Sequence, residues 1–213
     1  MTAEKQHFET YLKSLDLQEI PHIMGRIEHY HKLLSNSNHQ VNLISRKMPP
    51  ASYWTQHFLD SLIVLECLSL SGQTLLDFGS GGGLPGIPLK LTVPDCSLVL
   101  LDSIQKKTHI LSEMCEALSL SDTSVVCSRL EDYAFVARRP SFDFILMRAV
   151  GMQERYLPPL RRLLKPSGKV IAYKSHNLDD LEGIRHEVIL EKEDPFIGYR
   201  RIVSIAHRDL MRH

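Results

Sequence analysis

Apolar positions along the chain change their period once. Leu17, Ile20, Met24, Ile27, Tyr30 and Leu34 recur at steps of three and four, which predicts one face of an amphipathic helix over residues 17 to 34. Trp54, Phe58, Leu62 and Leu65 repeat that spacing before Gly72, so the first 70 residues read as a helical layer. From residue 73 the pattern becomes short apolar runs: "TLLDF", "SLVLLD", "TSVVC", "FDFILM" and "GKVIAYK" predict buried parallel strands. Between them Ile104, Ile110, Met114 and Leu118, then Met152, Tyr156, Leu160 and Leu163 or Leu164, mark helices. Repeated βα units imply an α/β fold, a doubly wound, mostly parallel sheet with helices on both faces. "RHEVILE" and "FIGYRRIVSIAHR" follow, joined by "KEDP", which leaves no room for a crossover helix. The chain should close with an antiparallel hairpin.

Length and composition fit one substantial domain with an appended segment. At 213 residues, 43% hydrophobic and 23% charged, the chain is expected to form an N-terminal helical extension (1–70) packed on a core domain (71–213). The amino terminus carries charges throughout and no window reaches membrane length, so a soluble, cytoplasmic protein is expected. Cys67, Cys96, Cys115 and Cys127 show no CxxC spacing, and the eleven histidines form no HExxH motif, so neither a disulfide framework nor a metal site is expected. The zero net charge hides a gradient. Lys and Arg number 6 against 7 acids over residues 1 to 76, 4 against 8 over 77 to 137, and 15 against 10 over 138 to 213. The basic last third is either a phosphate-binding face or a solvated mixed-charge surface.

One stretch carries more chemistry than the rest: "LLDFGSGGGLPGIPLKL", residues 75 to 91. An apolar strand delivers Asp77 to its carboxyl end, Gly79 to Gly83 turn the chain, and a helix begins near Pro85. Gly81, Gly83 and Gly86 match a dinucleotide pattern that also occurs in plain tight turns. Its position, the first βα turn of a doubly wound sheet, favours a ligand crevice. The next strand ends at Asp102, whose carboxylate suits the two hydroxyls of a ribose, in NAD as in S-adenosylmethionine. Asp77 separates the two. A carboxylate there repels a pyrophosphate and attracts an ammonium or sulfonium, so Asp77 and Asp102 together favour S-adenosyl-L-methionine. The closing hairpin agrees, because it resembles the sheet ending of class I methyltransferases.

At these residues the sequence resembles the glucose-inhibited division protein B family, the bacterial 16S ribosomal RNA guanine-N7 methyltransferases also called RsmG. "DFGSGGGLPGIPL" is similar to that family's cofactor loop, prolines included, and "LLDSIQKKTHIL", "SRLEDY", "MRAV" and "LPPLRRLLKPSGKVIAYK" resemble its later motifs. "HYHKLLSNSNHQVNLI" and "HFLDSL" match before the core, with departures at Ser37, Ile44 and Ser175. The resemblance implies cofactor contacts at Gly79, Leu84, Leu130, Glu131 and Arg148, methyl transfer to N7 of a guanine, and a 16S rRNA or small ribosomal subunit partner. A monomer is expected. The rivals are an NAD-dependent oxidoreductase and a noncatalytic RNA-binding module.

Arg148, at the end of the fourth strand, is the candidate catalytic residue, expected to position cofactor or phosphate; the alternative is a structural ion pair. Asn38, Asn42, His57 and Asp60 are candidates for the substrate mouth, with His57 and Asp60 three apart on one helical face. Turn formation and core anchoring are their other readings. Lys106, Lys107, Arg161, Arg162, Arg200 and Arg201 are candidate RNA phosphate contacts. No Pro-Cys follows the fourth strand and no Asn or Asp precedes Pro-Pro and an aromatic, which argues against pyrimidine-carbon and exocyclic-amine methylation.

Overall fold

A computed structural model describes residues 2–211. Two helices open the chain, α1 (Ala3–Ser14) and α2 (Ile20–Gln40). Thr2 caps α1 by accepting from the Lys5 amide, with Glu4 in the first turn and Lys13 in the last, which complements the helix dipole. Pro21 sits in the first turn of α2, where a missing N–H costs nothing. The apolar period predicts the end of α2 near Leu34, yet it runs six residues further. The polar run "SNSNHQ" hides this, because its one buried member, Asn38, works from inside the helix. Its Oδ1 accepts from the Leu43 and Ile44 amides at 2.9 and 3.1 Å and folds the departing chain back.

The second helical stretch keeps its apolar face but not its pitch. It begins as a π-helix (Trp54–Leu59), passes through one α turn, α3 (Asp60–Leu62), and tightens to a 3-10 turn (Ile63–Glu66). Apolar spacing over so few residues cannot distinguish these pitches. The consequence is local: carbonyls at Gln56 and His57 become available to a side chain elsewhere in the fold.

Five parallel strands follow: β1 (Thr74–Phe78), β2 (Ser97–Asp102), β3 (Thr123–Cys127), β4 (Phe142–Arg148) and β5 (Leu164–Lys174). Between them lie α4 (Gly86–Thr92), α5 (Gln105–Ala117), α6 (Leu130–Val136) and α7 (Leu157–Leu163). The hairpin β6 (Glu187–Asp194) and β7 (Gly198–Ala206) completes a seven-stranded sheet in the order β3-β2-β1-β4-β5-β7-β6. β7 lies antiparallel between β5 and β6, as the short "KEDP" connection predicts. Asp194 closes that turn, its Oδ1 accepting from the Phe196 and Ile197 amides.

Alternating strand residues feed two apolar clusters. Leu75, Leu100, Leu146, Ile171 and Ile202 face one side, where α1, α2 and the π-helix share a single cluster with α4 and α5. Leu76, Leu101, Ile145, Met147, Val170 and Val203 face the other, under α6 and α7. The sequence order of neighbours reverses between β1 and β4. Ligand crevices open at such a switch point, beyond the carboxyl ends of the strands. No described helix is long and apolar enough to cross a membrane.

Candidate cofactor crevice

The glycine loop leaves β1 at the switch point. The Gly79 and Ser80 amides donate to Leu101 O at 2.8 and 3.1 Å, tying the loop to β2, and Ser80 Oγ donates to Asp77 O. Gly79, Gly81 and Gly83 have φ of +77°, +56° and +93°, a region that side chains rarely adopt. Packing adds a second demand at Gly79, where a Cβ would lie 2.5 Å from Val150 Cγ2. The N-terminal layer presses on the same loop. The buried Tyr30 hydroxyl donates to Gly82 O at 2.7 Å, and Leu34 leaves no room for a Cβ at Gly82. Gly79 and Gly81 remain partly open while Gly82, Gly83 and Leu84 are buried, so the loop offers backbone at two points and closes elsewhere.

The two carboxylates differ in their surroundings. Asp102, 8% exposed, accepts from the Gly81 amide (Oδ2, 3.0 Å) and the Ile104 amide (Oδ1, 2.9 Å), so it shapes the loop as well as facing it. Each oxygen keeps a second lone pair for a ligand hydroxyl. Asp77 is fully buried, and its Oδ2 accepts from the Gly86 amide at 2.9 Å. A Cβ at Gly86 would sit 2.8 Å from that oxygen, which explains the third glycine of the pattern as a packing requirement of α4. Burial pushes the Asp77 carboxyl up to about 7, against the pull of the Gly86 amide and Arg148. Its Oδ1 is buried and without a partner, an acceptor left over at the foot of the loop. That leftover acceptor and the open Gly79 and Gly81 fit a nucleoside bearing a cationic amino-acid tail, and a pyrophosphate fits them poorly.

Leu84 and Leu130 are buried, Leu130 as the first residue of α6. Glu131 follows it, half-buried, with Arg155 Nε 3.7 Å away.

Arg148 is placed differently from the expected cofactor or phosphate contact. Its Nε pairs with Asp60 Oδ2 at 3.0 Å; Nη1 donates to His57 O and Ser61 Oγ; Nη2 donates to Gln56 O and His57 Nδ1. All five N–H groups are thus spent on the π-helix and α3, where the loosened helix presents its carbonyls. His57 and Asp60 do not bond each other as a pair; both grip Arg148. Asp60 holds a second arginine, Arg200 of β7, at 2.6 Å, so Arg200 is an internal partner and not a free phosphate contact. Arg201 is likewise paired, to Glu191 at 2.8 Å. Burial and the adjacent Arg148 hold the His57 imidazole down to about 3, so it is neutral. Because Nδ1 accepts from Arg148, the proton sits on Nε2, which is buried with no partner.

Of the mouth candidates, Asn38 is buried in backbone capping, and Asn42 is exposed with no side-chain hydrogen bond among the described residues. The contacts of Tyr30, Gln56 and Ser61 leave no signal in the sequence. No spacing rule links α2 to a loop fifty residues on, or a π-helix to the end of β4. Among the described residues no group of three His, Cys, Asp or Glu is placed to hold a metal.

A sheet in this strand order, with a glycine loop after β1, an acid ending β2 and a reversed β7, defines a class I methyltransferase. The comparison with solved structures agrees on the fold: a SAM-dependent methyltransferase from Aquifex aeolicus superimposes with a TM-score of 0.55 at 20% identity, over 73% of this chain and 93% of that one. Residues 23–197 match the GidB family model, rRNA small subunit methyltransferase G. Proteins named ribosomal RNA small subunit methyltransferase G are similar along most of their length. The one from Yersinia enterocolitica is 36% identical over 83% of this chain and 86% of its own. The one from Syntrophus aciditrophicus is 32% identical over 77% and 70%. The chain belongs to this family. It is a methyltransferase, and S-adenosylmethionine is the cofactor of its class.

Proposed function

We propose that the chain transfers a methyl group to N7 of a guanine in 16S ribosomal RNA of the small subunit, acting as a cytoplasmic monomer. The observation that carries the reading is the glycine loop held between Asp77 and Asp102 at the switch point of a family member. When bound, S-adenosylmethionine supplies an electrophilic methyl on a sulfonium. Asp102 would hold the ribose hydroxyls, the open backbone at Gly79 and Gly81 would receive the methionyl part, and Leu84, Leu130 and Glu131 would border the base. Residues 1–70 serve as an extension that braces the loop on an S-adenosylmethionine-binding unit of 71–213, through Tyr30 and Leu34.

Guanine N7 carries an in-plane lone pair and no proton, so its methylation needs alignment and no general base. The inner face of the site suits this. His57 offers no base: it is neutral, its Nδ1 accepts from Arg148, and its Nε2 is enclosed in the protein. Arg148 acts as a positioning residue, locking the π-helix against the end of β4. The test is transfer of labelled methyl to unmethylated small subunits and to stripped 16S RNA, then mild reduction and aniline scission. N7-methylguanine is cationic and labile, so one new strand break is expected, absent with Asp102→Ala. Transfer with no break would move the methyl to another atom.

A further inference from the structure

We propose that the end of the sheet opposite the crevice carries a second contact for RNA phosphates, centred on Arg138 and Arg139. The proposal rests on the reading of RNA as the substrate. Residues 137–140 lead into β4, α7 ends immediately before β5, and the antiparallel β7 brings His207 to the same end. A cavity of about 700 Å³ opens there between Arg138, Arg139, Pro158, Arg161, Arg162 and His207, and among the described residues no Asp or Glu lines it. Along β4 from Phe142 to Arg148 the rise is about 3.3 Å per residue, which places the surface roughly 20 Å from the crevice.

The arginines divide into supports and free groups. Arg162 Nη2 donates to Ala137 O at 3.2 Å and Phe135 O at 3.4 Å, capping α6 and holding the loop. Arg161 Nη1 lies 2.9 Å from Met211 Sδ. Arg138 and Arg139 are exposed, and neither guanidinium has a hydrogen bond or ion pair among the described residues. Arg155 and Arg201 face carboxylates. Arg138 and Arg139, like the exposed Arg129 and Arg185, have no acidic partner among the described residues, and they share one cavity with two further arginines. Beside them Phe135 is 82% exposed and Val136 70%, an aromatic ring and an apolar step next to unpaired cations. Free planar guanidiniums next to an exposed ring match a phosphate backbone with an accessible base face better than they match an acidic peptide. An RNA folded within a ribosomal subunit readily spans the distance between the two ends.

The test is equilibrium binding of small subunits across about 50 to 200 mM salt, with the full chain and with the Arg138→Ala/Arg139→Ala pair. Two lost phosphate contacts should flatten the slope of log affinity against log salt by about 1.5 and weaken binding about tenfold at the lower end. S-adenosylhomocysteine affinity should stay at the wild-type value, and an Arg138→Lys/Arg139→Lys pair should keep most of the slope. An unchanged slope and affinity in the alanine pair overturns the proposal, even if the wild-type chain methylates subunits. A flattened slope with a wild-type chain that transfers no methyl would uphold the surface and sink the substrate reading instead.

Discussion

The two ends of the sheet both gather arginines, and they use them in opposite ways. At the carboxyl ends of the strands, Arg148 spends every N–H inside the protein and shares Asp60 with Arg200. At the amino ends, Arg138 and Arg139 are exposed beside a cavity lined by no Asp or Glu among the described residues. A buried guanidinium with all donors satisfied is architecture, because any ligand would have to displace bonds already made. An exposed one without a counter-charge is available to a ligand. Position at the functional end of a fold is therefore a weaker guide to an arginine's role than the fate of its donors.

The sharpest way to break this contrast is to remove the internal arginine. Arg148→Ala leaves Asp60 half paired and the Gln56 and His57 carbonyls bare, and truncating one member of a buried pair costs about 3 to 5 kcal/mol. Denaturant unfolding should show a loss of that order, with cofactor affinity falling because the π-helix loosens. A loss under about 1 kcal/mol would return Arg148 to the pool of ligand contacts.

Asp102→Ala comes next in size. It removes acceptors for the Gly81 and Ile104 amides together with the proposed ribose contact. Charge-assisted bonds of this kind are worth about 1.5 to 3 kcal/mol, which is about 10- to 150-fold in S-adenosylhomocysteine affinity by calorimetry.

Smaller effects appear as a pH dependence of stability. Asp77 has its pKa raised from 3.8 to about 7, so the folded state holds a proton the unfolded chain has released, and its contribution is lost as pH rises through about 7. His57 is lowered from 6.5 to about 3, so its contribution is present above 6.5 and lost as pH falls toward 3. Between about pH 4 and 6.5 the two slopes oppose each other. Asp77→Asn should remove the falling limb and leave stability rising with pH across that window; an unchanged profile would show that the buried carboxyl does not titrate there.

Arg138→Ala and Arg139→Ala should be the mildest, within about 0.5 kcal/mol of wild-type stability by thermal unfolding, as expected of surface groups that hold nothing. A drop comparable to that of Arg148→Ala would erase the distinction between the two ends.

The sheet, its closing hairpin and the glycine loop were legible because period-two burial and glycine placement are local in sequence. Asp77 was legible as a residue but not in its environment: the carboxyl expected beside a cation is fully buried and also supports the Gly86 amide. Asn38 suggests a turn or a rim by its residue type, yet it lies inside α2 and caps the Leu43 and Ile44 amides, a tertiary role that its type does not reveal. The embrace of Arg148 by Gln56, His57, Asp60 and Ser61 joins positions about ninety residues apart through a π-helix, and neither the distance nor the pitch leaves a mark in the apolar spacing.

The central claim is methylation of a guanine at N7, and it is tested most directly by identifying the product. Small subunits lacking the modification are incubated with the enzyme and labelled S-adenosylmethionine, the RNA is digested to nucleosides, and the label is followed by chromatography. All of the label should co-elute with 7-methylguanosine and disappear with Asp102→Ala. Label in any other nucleoside, or none above background from a chain that binds S-adenosylhomocysteine, would contradict the claim.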